Sequence, residues 1–125
     1  MNFLFTLLII INSALVFSQG AEFTILEPTF KFPKTVEGPI VKHTYVFTNT
    51  GTEPLIIQDY LVACTCTEVF YSKEPIMPGK NGEVRVEFDT EGKYDQQDRI
   101  VTLIVNTKKK KAKLRFKIFV LPKEE

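Results

Sequence analysis

Beyond residue 20 the chain alternates between apolar and polar positions. Val84, Val86 and Phe88 are separated by Glu83, Arg85, Glu87 and Asp89, the two-residue period of a strand with one face buried and one face in water. Leu114, Phe116, Ile118 and Val120 repeat the pattern against Lys113, Arg115, Lys117 and Phe119. Val41, His43, Tyr45 and Phe47 do so against Lys42, Thr44 and Thr48, with Val46 breaking the polar side. Val101, Leu103 and Val105 share one face and Ile100, Thr102 and Ile104 the other, so that strand is expected to be central or partly covered. Weaker candidates are Glu22 to Glu27, with Phe30 and Phe32 alternating beyond Pro28, then Leu55 to Val62 with a bend near Gln58-Asp59, and Thr65 to Tyr71.

Prolines at 28, 33, 39, 54, 75, 78 and 122 and glycines at 38, 51, 79, 82 and 92 cut the chain into pieces too short for a helix of average length. Pro33 and Pro39 make the segment around them an edge or switching strand, because proline cannot donate into a central ladder. Turns are expected at Asn49 to Thr52, where Asn49 can bond its own backbone, and at Lys73 to Gly82, Thr90 to Asp98 and Thr107 to Lys111. About seven short antiparallel strands at spacings near ten residues predict an all-β sandwich, with a small barrel as the competing architecture.

The first stretch is different. Phe3 to Phe17 is apolar apart from Thr6, Asn12 and Ser13, and Ser18-Gln19-Gly20-Ala21 follows. This predicts a signal peptide over residues 1–20, with Ser18 and Gly20 at the −3 and −1 positions of a cut before Ala21. No Lys or Arg precedes Phe3, so a retained N-terminal anchor and a buried helix are the alternatives, although the stretch is short for a membrane span of about 20 residues. On this reading residues 21–125 form one domain, periplasmic or secreted, with no membrane span after cleavage. A formal charge of +1 argues against nucleic acid as a partner.

Candidate chemistry is sparse. Two cysteines cannot build a disulfide scaffold, so the core must come from apolar packing. In an extended strand the Cα atoms of Cys64 and Cys66 would stand about 6.6 Å apart, whereas a disulfide brings its Cβ atoms to about 3.8 Å. A bridge therefore requires a bend at Thr65; packed thiols and a redox or metal role are the other readings. His43 lies on the apolar face of its strand, where a partnered core-margin ring is the simpler reading than a ligand or an acid-base group. Asp89, Glu91, Asp95 and Asp98 lack the fixed spacing of an EF-hand and read as a solvated connection, with weak calcium binding as the alternative. Lys113, Arg115 and Lys117, downstream of Lys108 to Lys111, form a basic field that could meet an anionic surface or simply discourage edge pairing. No Gly-x-Ser-x-Gly elbow and no glycine-rich phosphate cradle occurs, so no catalytic residue, cofactor or in-chain metal set is assigned.

The segments Tyr45 to Gly51, Pro54 to Ile57, Cys64 to Thr67, Glu74 to Gly82, Val84 to Thr90 and Val101 to Thr107 together resemble DUF1573, an exported family common in Bacteroidetes whose activity is unassigned. The family usually has glycine between its two cysteines; Thr65 stands there in this chain and enters a tight bend less easily. The resemblance implies an immunoglobulin-like antiparallel β-sandwich, similar to the MSP and ASH interaction modules, in a bacterial envelope or secreted setting. It implies no reaction. The expected function is a non-catalytic exported module for protein–protein interaction or envelope structure, with an unknown protein partner in the cell envelope. A thiol redox or metal-handling protein using Cys64 and Cys66 is the alternative, and a hydrolase built on His43 ranks last.

Overall fold

The computed structural model describes residues 19–124. Residues 1–18 of the expected leader lie outside the described residues. The alternating segments become nine strands: β1 Phe23–Thr24, β2 Thr29–Lys31, β3 Thr35–Val36, β4 Ile40–Asn49, β5 Ile57–Leu61, β6 Thr67–Tyr71, β7 Asn81–Asp89, β8 Asp95–Val105 and β9 Lys111–Leu121. They form two sheets, one of order β1-β4-β7-β6 and one of order β2-β9-β8-β5, with β3 also on β9. Two separate sheets facing one another make this a sandwich and not a barrel. No helix among the described residues is long and apolar enough to cross a membrane.

The core lies where the alternating faces meet. Tyr45 and Phe47 of β4, Val84, Val86 and Phe88 of β7, Val101, Leu103 and Val105 of β8, and Leu114, Phe116, Ile118 and Val120 of β9 are all buried. Removing one such side chain from water stabilises the fold by roughly 1.5–3 kcal/mol. The expected bend in the fifth strand is a register shift between Ile57 and Asp59. β8 is central within its sheet, between β5 and β9, but no third layer covers it, and Ile100 is half exposed.

One departure from an antiparallel sandwich concerns the proline-bearing segment. β1 pairs with β4 in the first sheet, after which the chain crosses over and β2 and β3 run parallel to β9 in the second. Pro28 and Pro33 sit at the joints, where a missing N–H removes no ladder bond. The first of the described residues are held as well: Gly20 donates its N–H to Thr52 Oγ1 at 3.1 Å and accepts from Thr52 N at 2.8 Å. Ala21, on the far side of the expected cut, is buried and bridges to Thr107.

Candidate functional site

The edge of the first sheet is only partly closed. Asn49 turns its backbone towards the β7 side, bonding Lys80 O at 3.0 Å and Gly79 N at 2.7 Å, while Thr50 N points the other way to Glu22 O at 3.0 Å. By strand alternation Thr44 and Val46 also present N–H and C=O towards β1. Among the described residues β1 ends at Thr24, opposite Thr48, and no strand continues along that edge. The result is a groove of about 470 Å³ whose lining includes Leu26, Glu27, Thr44 and Val46. Leu26 is 93% exposed and Val46 53%, so apolar side chains flank unpaired backbone. Val46, the residue out of pattern in the sequence, is therefore a surface feature.

His43 forms the inner wall of this edge. Its ring stacks on Phe30 at 3.6 Å and meets Tyr45 edge-on at 4.6 Å. Tyr45 Oη donates to Arg115 O at 2.6 Å, tying the two sheets together, and burial holds the phenol protonated. Burial also lowers the His43 pKa below its usual 6.5, against the opposing pull of the Glu27 carboxylate. The histidine is thus an aromatic packing residue with the Glu27 carboxylate in its vicinity.

A pH dependence follows. Because the folded pKa lies below the unfolded one, the unfolded chain takes up its proton first as the solution is acidified. The His43 contribution to stability is complete above about pH 6.5 and is lost as pH falls towards the folded pKa. The carboxyls of Glu37, held by backbone N–H groups of Lys123 and Gly92, and of Asp98, held by Arg115, have lowered pKa values, so their contributions are lost only below 4.5 and 3.8. Urea midpoints between pH 7.5 and 5 should fall for the native protein, and His43→Phe, which keeps the stack, should flatten that slope.

Cys64 and Cys66 are joined as a disulfide, with Cα atoms 5.1 Å apart. The expected bend is a turn in which Thr67 N donates to Cys64 O at 3.2 Å, and β6 begins only after it. A small hollow beside Cys66 is lined by Glu68, Glu87 and Asp89. Glu87 is paired with Lys42 at 3.2 Å, and among the described residues no three His, Cys, Asp or Glu side chains gather as a metal site. A ring spanning three residues constrains the unfolded chain little. Replacing both cysteines by serine is expected to cost about 1–2 kcal/mol, read as a modest shift of the thermal midpoint.

The basic field divides in two. Arg115 Nε bonds Asp98 Oδ1 at 2.7 Å and its Nη2 pairs with the other carboxylate oxygen. Lys117 lies opposite Asp98 in the ladder, so the far half of the predicted surface is locally neutralised. Lys113 faces Thr102 and Lys111 faces Ile104, with no acid opposite either. The acidic residues of the Asp89 to Asp98 stretch are likewise dispersed, Glu91 pairing with Lys123 at 3.0 Å.

The fold is similar to a protein of unknown function from Porphyromonas gingivalis W83, with a TM-score of 0.70 and 15% identity over 85% of this chain and 50% of that one. It is similar to an ASH/PapD-like domain of human CEP192, TM-score 0.63 and 12% identity over 90% and 97% of the two chains. It is also similar to part of the Vibrio cholerae VesB protease, TM-score 0.60 and 16% identity over 79% of this chain and 31% of that one. This chain spans about half the length of the Porphyromonas protein. No curated protein matches it in sequence. At these identities the likenesses concern the fold alone, an immunoglobulin-like β-sandwich. The family described as "Protein of unknown function (DUF1573)" matches residues 23–120, nearly the whole described domain, and the chain belongs to that family.

Proposed function

We propose that the protein is a non-catalytic, exported interaction module of the cell envelope that holds an extended segment of a protein partner along the open edge of β4. The observation that carries this reading is the groove beside Thr44 and Val46, where unpaired backbone groups lie next to exposed Leu26 and Val46. Such an edge supplies hydrogen bonds to any extended chain, and the flanking apolar side chains supply selectivity. The packing of His43 against Phe30 and the pairing of Cys64 with Cys66 in a disulfide support a binding reading over one built on those side chains.

The test is a photo-crosslinking amino acid placed at Val46 in the native host, with Lys73 on a separate loop as control. One discrete crosslinked envelope protein from position 46, absent from position 73, is expected. Crosslinks from both positions alike, or from neither, would overturn the proposal.

A further inference from the structure

Resting on that reading but concerning a different edge, we propose that the first half of β9 captures a short acidic strand of a partner protein. The edge is open for a topological reason. Ala21 bridges to Thr107, and Pro28 O accepts from Arg115 N at 2.8 Å, but between those anchors the chain leaves β9 to pair with β4. Arg115 N and Lys117 O both bond away from β8, the latter accepting from Phe32 N at 2.9 Å. Alternation along the strand then turns the N–H and C=O of Lys111 and Lys113 to the same side. Beside them is a groove of about 390 Å³ floored by Phe23, Ile25 and Ala112. Four lysines, 108, 109, 111 and 113, line it against one acid, Glu22.

The occupant follows from the pleat. A strand laid beside Lys111 to Leu114 has room for about four residues at roughly 3.3 Å each. Its outward side chains become cross-strand neighbours of Lys111 and Lys113, which lack an acidic partner on β8, so they should be Glu or Asp. Its inward side chains meet Phe23, Ile25 and Ala112 and should be apolar. The segment recognised is therefore acidic and apolar in alternation. A phosphate-rich surface would satisfy the lysines but leave the backbone groups and the apolar floor unused.

The test uses the protein purified from its host and an acetylated, amidated Glu-Val-Glu-Val-Glu peptide, with residue-resolved amide exchange as the readout. The peptide is expected to bind, to slow exchange at Lys111 and Lys113 by about threefold or more, and to weaken with added salt. Lys111→Glu with Lys113→Glu should weaken it about tenfold, near 1.4 kcal/mol, and a Lys-Val-Lys-Val-Lys peptide should not bind. Peptide binding without protection at those amides would overturn the inference, as would equal binding of the basic peptide. Binding of phosphatidylglycerol vesicles in place of the peptide would overturn it too. If a partner is still captured through Val46 in any of those cases, the interaction reading stands and only the β9 assignment falls.

Discussion

Replacing Asn49 by alanine is expected to destabilise the domain by roughly 3–5 kcal/mol. Asn49 is fully buried at the end of β4, and its amide is satisfied on every side. Nδ2 donates to Glu53 O at 2.7 Å and to Ile76 O at 2.8 Å, while Oδ1 accepts from Glu22 N at 3.2 Å and Gly51 N at 3.0 Å. One side chain thereby fastens the incoming first segment, the β4–β5 turn and the loop before β7. Alanine would leave Glu53 O and the N–H groups of Glu22 and Gly51 without their partner in a part-buried place, while Ile76 O would keep its bond from Leu55 N. Asn49→Asp should be nearly as damaging at neutral pH, since a carboxylate would face two carbonyl oxygens. Urea denaturation checks both, and a loss below about 1 kcal/mol for Asn49→Ala would mean that water replaces the amide without difficulty.

Gly82→Ala is expected to cost about 2–3 kcal/mol, although it adds a single methyl group. Gly82 lies opposite Phe47 in the β4–β7 ladder and the ring lies over it. A Cβ there would stand 2.9 Å from Cε1 and 3.0 Å from Cε2 of that ring, and closer still to Cζ. Phe47 cannot swing aside freely, because its other face stacks on Phe23 at 4.5 Å. The clash should therefore propagate into β1 and loosen the first segment. Phe47→Leu combined with Gly82→Ala gives the check: the double variant should lose clearly less than the sum of the two single ones. Strict additivity would show that the methyl group is accommodated elsewhere.

These positions also mark where sequence reasoning stopped. Period-two alternation identified the inward faces of β4, β7, β8 and β9, because burial on one side of a strand writes itself directly into residue order. The out-of-pattern Val46 was visible for the same reason. The bond from Gly51 N to Asn49 Oδ1 was legible as local turn chemistry, but the partners at Glu22 and Ile76 are 27 residues away in either direction. The start of β8 reads in the sequence as a connection, since Asp95-Gln96-Gln97-Asp98 has little strand propensity of its own. Those residues are extended because they pair with Lys117 to Val120 of β9. Parallel pairing of β2 and β3 with β9 left no local mark either. The neutralisation of Arg115 by Asp98, and with it the narrowing of the basic surface to Lys111 and Lys113, became apparent only once that register was known.

The position of β9 in the second sheet bears on how the domain closes. β9 pairs with β8 on one side and with β2 and β3, from the opposite end of the domain, on the other. Until β9 is in place the second sheet joins neither β2 and β3 to β8 nor its buried Leu114, Phe116, Ile118 and Val120 to the core, so closing the domain waits on contacts between residues far apart in sequence and is expected to be slow.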